Sequence, residues 1–537
     1  MMKRVSMAAA AALVAVQLVM AGGTRQSGNT TTAPGANFNP TGYPIVKEKI
    51  TLTGFGNQNV THKNWNEIYC FTEYEKKSNI HIEWTTAPNQ GFQERKNVLL
   101  ASGDYPDFFY RCALTTADQI NYGSRGALIA LNNLIDQYGV NLKERFKELP
   151  DMYNSMKMPD GNIYSLPTKS LSSPGAASYN WINERWLKNV NTKVPATLDE
   201  LEAVLTAFKT LDANGNGNPN DEIPWSCRRA GISLFLSTNS SFGMGNLGNS
   251  ISMDYFVDID SAGKIRLFPI TENYRQQLQW LAGLYAKGLI DPECFTQDFA
   301  AFTAKGEQDL IGAFFDNNNP EIIGSKNQEY FTYAPPFAGR DGKAEFNNVG
   351  LTYALGAFAI SNRNKYPAET MRWIDYYYGE EGARLIWLGE EGVTYVKKPD
   401  GTYTVTDLIR KNPNGLNMPQ SMGQYAIGFA GGGAPTFTTD MLEEARLPPI
   451  VFKTYDFIKP IIGVKALPLL SFTTAEQDEL NPLLSDIITY IKESQVQFVT
   501  GRLSLSQWEN YVKRINDMGG ARYTALFQTA YDRWARN

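Results

Sequence analysis

The chain is 537 residues long, carries 50 Lys and Arg against 55 Asp and Glu for a net charge of −5, and is 43% apolar. That length allows roughly two to four domains, and that apolar fraction builds real cores, which excludes global disorder. A mildly acidic chain with scattered basic residues lacks both the basic stripe of a nucleic-acid binder and the charge run that grips anionic lipid.

Histidine is limited to His62 and His81. That weighs against hydrolases and metalloenzymes that depend on imidazole, though not against glycosidases that work with carboxylates alone. Cys70, Cys112, Cys227 and Cys294 form no CxxC motif, and their spacing leaves disulfides and buried thiols both open. The aromatic residues, 12% of the chain, are mostly accounted for by large cores, with a remainder for rings that face a ligand.

In chain order, Lys3 and Arg4 precede an apolar run over residues 5–21 that reads as a signal peptide, residues 1–21, too short for a permanent membrane helix. Residues 18–23 resemble a lipoprotein box with Gly23 where a lipid-bearing Cys is expected, so lipid anchoring is in doubt. Either a peptidase cuts after Ala21 or an acylated Cys has been replaced. Residues 22–42, rich in Ser, Thr, Asn, Gly and Pro, read as a flexible linker. The body then alternates: strand 49–56, helix 64–77, strand 81–85, helix 91–102 and strand 107–110, the pattern of a parallel α/β sheet. A second α/β unit follows, with a helix at 197–209 opened by a Thr197 and Glu200 capping box, a helix at 271–287 closed by Gly288, and a buried strand at 310–315. The last third is helical, at 476–500 and 504–534.

The sharpest motif is the loop from Asp212 to Pro224. Asp212, Asn214 and Asn216 offer side-chain oxygens at alternate positions, Asn218 its carbonyl, and Asp221 and Glu222 the closing negative charge. Calcium takes six to eight oxygens, so the loop reads as a structural Ca2+ site. The twelfth position, which is Glu in an EF-hand, is Ile223 here, so the return is shorter. A plain Asn-Gly turn is the duller alternative.

In a parallel α/β sheet, ligands collect at the carboxyl ends of the strands. The candidates there are Asn57, Gln58 and Asn59 after the first strand, Tyr110 and Arg111 after the third, and Asp316 and Asn317 after the buried strand of the second unit. Amides and carboxylates bond sugar hydroxyls, and flat rings cover the apolar face of a pyranose. Trp387, Glu391 and Tyr395 flank a glycine turn, and Trp181 and Tyr425 complete the ring candidates. Adjacent Glu390 and Glu391 point apart in most backbones and do not set the carboxylate spacing that glycoside cleavage needs.

A series of phrases along most of the chain resembles one family. They are residues 101–107, 159–167, 186–188, 194–197, the Asp212 loop ending at 221–224, residues 284–293 and the turn at 389–395. Their order is similar to that of the family 1 extracellular solute-binding proteins of ABC sugar importers, in the branch of Gram-positive lipoproteins and alginate-binding proteins. The resemblance implies a two-lobed, periplasmic-binding-protein-like type II fold with discontinuous lobes. Lobe 1 would be residues 43–168 and 356–440, and lobe 2 residues 169–355 and 441–537 with the calcium loop. Crossing segments fall at 166–180, at 351–359 and late in the chain. The implied function is capture of an oligosaccharide outside the cytoplasmic membrane and delivery to two permease subunits driven by an ATPase, by a monomer that binds no nucleic acid and catalyses nothing. The alternatives are a secreted calcium-dependent glycosidase or lyase, and a calcium-dependent adhesin or sensor.

Overall fold

The computed structural model describes residues 35–169, 179–227, 231–244, 255–260, 262–316, 323–324, 326–339, 342, 353–429, 433–437 and 467–536. The expected signal peptide, Gly23 and the linker up to residue 34 lie outside these, as do Asn317 and residues 170–178, 351–352 and 438–466 of the expected crossings and lobes. Residues 35–42, expected as linker, are anchored to the fold at Phe38. Phe38 is buried, bridges Val46 and meets Tyr138 edge-on at 5.4 Å.

The strands in chain order are β1 (Ile50–Gln58), β2 (Ile80–Pro88), β3 (Phe108–Tyr110), β4 (Leu166–Lys169), β5 (Tyr179–Asn183), β6 (Ile223–Trp225), β7 (Val257–Ile259), β8 (Ile265–Leu267), β9 (Ile311–Asp316), β10 (Phe331–Ala334), β11 (Tyr353–Ile360), β12 (Tyr395–Lys397) and β13 (Tyr403–Val405). A first sheet has the order β2-β1-β3-β11-β4, with β1 parallel to β2 and β3, and β11 antiparallel to β3 and β4. A second has the order β10-β5-β9-β6, with β5 antiparallel to both neighbours and β6 parallel to β9. The chain leaves the first sheet between β4 and β5 and returns between β10 and β11. Phe437 still bridges Lys169 of β4, whereas Leu467 is already in the second core, which makes a third passage. The fold is α/β and two-lobed.

Bare backbone lets large rings pack on the first sheet. A Cβ on Gly56 would stand 2.4 Å from the Trp65 ring, and one on Gly54 would stand 2.8 Å from Trp84. Trp65, Phe71, Trp84, Tyr110 and Trp373 interlock above these glycines, with ring centroids 4.6 Å apart for Phe71 and Trp84. The second core gathers Trp186, Phe208, Phe235 and Tyr274 with the carboxyl-terminal helices.

Local differences from the sequence expectations have local causes. The first helix begins at Tyr69 rather than at residue 64, because Asn64 accepts from the Asn66 backbone and the Asn66 amide clamps the backbone N–H and carbonyl of Trp84. Thr197 caps the Leu198–Thr210 helix as expected, but the Glu200 carboxylate bonds the Ala196 amide at 2.7 Å instead of closing the box on Thr197. The expected helix at 504–534 is divided into Trp508–Asp517 and Gly520–Arg536 by Gly519, whose φ is +97°. Of the cysteines, Cys227 and Cys294 form a disulfide and Cys70 and Cys112 are buried thiols. Burial pushes the Cys112 thiol up to about 12, so neither a metal ligand nor a nucleophile is poised there.

Candidate functional site

Because β1, β2 and β3 run parallel, their carboxyl ends share one edge of the first lobe. Asn57 stands there half-buried, and its side-chain oxygen is buried and meets no donor among the described residues. Gln58 is committed to the loop: its amide nitrogen donates to the His62 and Lys63 carbonyls at 3.2 Å and its oxygen accepts from Thr86 at 2.8 Å. Asn59 accepts from the Thr61 backbone and hydroxyl, both at 3.0 Å, and so shapes the turn. Arg111 follows β3 in a left-handed conformation, φ +51°. It is buried, which lowers its guanidinium to about 10, because taking the cation out of water disfavours it. Gly433, close to the third passage, comes within 3.7 Å of the Arg111 Nε at the position a Cβ would occupy.

On the second lobe, Asp316 closes β9 opposite Tyr179 and is 3% exposed. Parallel β6 ends opposite Ala313 of the same strand and leads into a buried network. Ser226 donates to Asp291 at 2.7 Å, and Lys305 donates to Asp291 at 2.7 Å and to Gln297 at 2.9 Å. Sequence reasoning missed this cluster, since its members are up to 79 positions apart; only Asp291 fell inside a quoted phrase.

Four of the expected rings are buried: Tyr110, Trp181, Trp387 and Tyr395. Tyr110 is fully buried among Trp65, Phe71 and Trp84; Trp181 packs on Phe314 with centroids 6.5 Å apart; Trp387 lies against Gly428. Their alternation on strands and spacing on a helix put them on inward faces. Glu391, Tyr395 and Tyr425 are brought together elsewhere on the first lobe. The Tyr395 hydroxyl donates to exposed Glu391 at 3.4 Å, and Tyr425 abuts Gly389 and accepts from the Cys70 amide at 2.9 Å. A cavity of about 380 Å³ runs between the lobes, lined by Thr115–Ala117 of the first, Tyr255, Phe472 and Phe527 of the second, and Leu467–Leu470 where the third passage enters the second lobe.

The loop at 212–222 draws five of its six candidates into one knot, with Glu222 bonded to the Ala213 backbone beside them. Asp212 accepts from the Asn216 and Gly217 amides, and Asp221 accepts from the side chains of Asn214, Asn216 and Asn218. Glu222 is 3% exposed; one carboxylate oxygen accepts from the Ala213 amide at 2.9 Å and the other is buried with no donor among the described residues. Gly215 and Gly217, at φ +75° and +89°, make the turn. Among the described residues no three of His, Cys, Asp and Glu stand close enough to form a metal cluster by themselves. A cation here would depend on the three asparagines as much as on the acids. The orphaned, buried Glu222 oxygen fits one.

Two sheets joined by three chain passages, with polar strand ends on each, define a two-lobed binding protein of the periplasmic type. Residues 63–384 match the model of the bacterial extracellular solute-binding protein, and the chain belongs to that family. It is therefore an extracellular solute receptor and not an enzyme. It is 27% identical over 528 residues, 95% of each chain, to the fructooligosaccharide ABC transporter substrate-binding protein FusA of Streptococcus pneumoniae. The structure of FusA in complex with kestose superposes with a TM-score of 0.72 at 26% identity, covering 91% of this chain and all of that one. An EF-hand mutant of FusA in complex with fructo-nystose gives 0.72 at 25% identity, with the same coverage. The alginate-binding protein AlgQ2, solved without calcium ion, gives 0.69 at 25% identity, covering 93% of this chain and 99% of that one.

Proposed function

We propose that this chain is the extracytoplasmic receptor of an ABC sugar importer, that it holds an oligosaccharide between its lobes, and that it passes the sugar to two permease subunits. The observation that carries this reading is the pair of polar strand ends, Asn57 and Arg111 on one sheet and Asp316 on the other, on two lobes joined by passages of chain. The printed name of FusA supports the sugar class. The Asn57 oxygen accepts from a sugar hydroxyl, Arg111 donates, and Asp316 accepts from the far side. Gln58 and Asn59 hold the loop that aims Asn57. Tyr110 and Trp181 brace these positions from within, and Trp387 packs against Gly428. A ligand that touches both lobes binds the closed state better and shifts the population toward it, with no bond made or broken.

The same proposal includes a structural Ca2+ held by Asp212, Asn214, Asn216, the Asn218 carbonyl, Asp221 and Glu222. When bound, it neutralises the loop's carboxylates and ties the Leu198–Thr210 helix to β6. The test is a thermal-shift screen of neutral and acidic oligosaccharides with the full mature chain. One sugar class should raise the melting point; saturation at a hundred times Kd corresponds to about 2.7 kcal/mol. No shift with any sugar refutes the reading.

A further inference from the structure

A groove of about 250 Å³ lies along the flank of lobe 1, lined among the described residues by that lobe alone. One wall is a single helix face, Tyr69, Glu73 and Lys77 at successive turns of Tyr69–Ser78. The other is Arg384 and Leu385 of the Glu380–Leu388 helix together with Tyr395. The charges at this groove pair among themselves. Lys77 meets Glu381 at 2.5 Å, Arg384 meets Glu380 at 2.8 Å, and Glu73 meets Lys76 at 2.8 Å. The lining is thus electrically balanced, and an ionic ligand would have to break an ion pair to bind. What it offers instead is tyrosine edges and hydroxyls, an aliphatic side chain and carboxylate oxygens with spare acceptor capacity, the mixture that suits a neutral polyol with one apolar face. Drug-sized ligands occupy roughly 300–1,000 Å³, so this groove has room for one sugar ring and not for a chain.

We propose that the flank groove is a second carbohydrate site, which takes a single neutral sugar ring, free or at the end of a glycan, independently of the space between the lobes. It engages Tyr69, Glu73 and Tyr395, and its occupation does not require lobe closure.

Burial and the neighbouring Glu390 and Glu73 raise the Tyr69 hydroxyl above its ordinary value, so it stays protonated and able to donate at physiological pH. The test uses the full mature chain labelled with 3-fluorotyrosine, its Tyr69 and Tyr395 signals identified by Tyr→Phe exchange. Neutral methyl hexosides form one titration arm, and oligosaccharides ending in the same ring form the other. Both signals should move in the first arm with millimolar affinity. Tyr69→Ala should weaken that binding at least about tenfold, and Glu73→Trp, which fills the groove, should abolish it. In both variants calorimetric affinity for the oligosaccharide held between the lobes should stay within about twofold. Movement of the signals with oligosaccharides alone, or movement that survives in Glu73→Trp, overturns the proposal. So does the absence of any movement in a wild-type protein that still binds oligosaccharide, and that result leaves the importer reading standing.

Discussion

Calcium removal and Glu222→Gln test the loop at 212–222 together. In the folded chain the Glu222 carboxylate is buried, with one oxygen bonded to the Ala213 amide at 2.9 Å and the other lacking a donor among the described residues. A buried polar atom left unsatisfied costs about 1–3 kcal/mol, and a cation removes that cost. Independently, a cation present at a hundred times its Kd stabilises the fold by about 2.7 kcal/mol. In a unit of 150–250 residues each kcal/mol moves Tm by about 2–4 °C, so chelation should lower Tm by about 5–10 °C, and calcium but not an equal concentration of magnesium should restore it. Glu222→Gln keeps an acceptor for Ala213 but removes the charge. The variant should lose the calcium response and match or exceed the calcium-free wild type, because a neutral amide is cheaper to bury than an unpaired carboxylate. Scanning fluorimetry with chelator and back-titration reads both effects. A wild-type Tm that ignores chelation, or a full calcium response in Glu222→Gln, refutes the reasoning.

Asn57→Ala should weaken oligosaccharide binding about 3- to 10-fold by calorimetry, the worth of one hydrogen bond, without lowering Tm, since the Asn57 oxygen has no donor among the described residues to lose. Gly56→Ala should destabilise by about 1–3 kcal/mol in urea unfolding and weaken sugar binding too, because the added methyl would stand 2.4 Å from the Trp65 ring beneath the Asn57 loop. Opening the Cys227–Cys294 bridge by a Ser pair releases a loop with sequence separation 67 and should cost at most about 4 kcal/mol on the loop-closure model, read by denaturation against the oxidised protein. Burial raises the Glu369 carboxyl above its ordinary value. The native state therefore holds the proton longer than the unfolded chain, and stability from this group falls as pH rises through the carboxyl range. Glu369→Gln should flatten that slope and stabilise the protein at neutral pH, as measured by urea midpoints across pH.

Most of the second-lobe elements were legible because the signals are local. Thr197 before an amphipathic run, Gly288 after one and the apolar stretch ending at Asp316 each carry their own start or stop chemistry. The oxygen-rich loop was legible for the same reason, as all six candidate residues lie within eleven consecutive positions. The helix start at Tyr69 was misplaced because the Asn66 side chain serves Trp84, 18 positions on, and no local pattern reveals that bond.

The sequence by itself determined the alternation of strands and helices, the polar residues at strand ends and the oxygen-rich loop, since each depends on backbone periodicity and short-range hydrogen bonding. Only the tertiary structure decided which rings are core and which border a groove. Tyr110, Trp181 and Trp387 are held inside by neighbours far away in sequence, and Tyr395, equally buried, also borders a groove built with Tyr69, more than 300 positions earlier. It likewise decided that Cys227 pairs with Cys294 and that Ser226, Asp291 and Lys305 converge. Packing is a relation between distant segments, and its partners are chosen only when the sheets assemble.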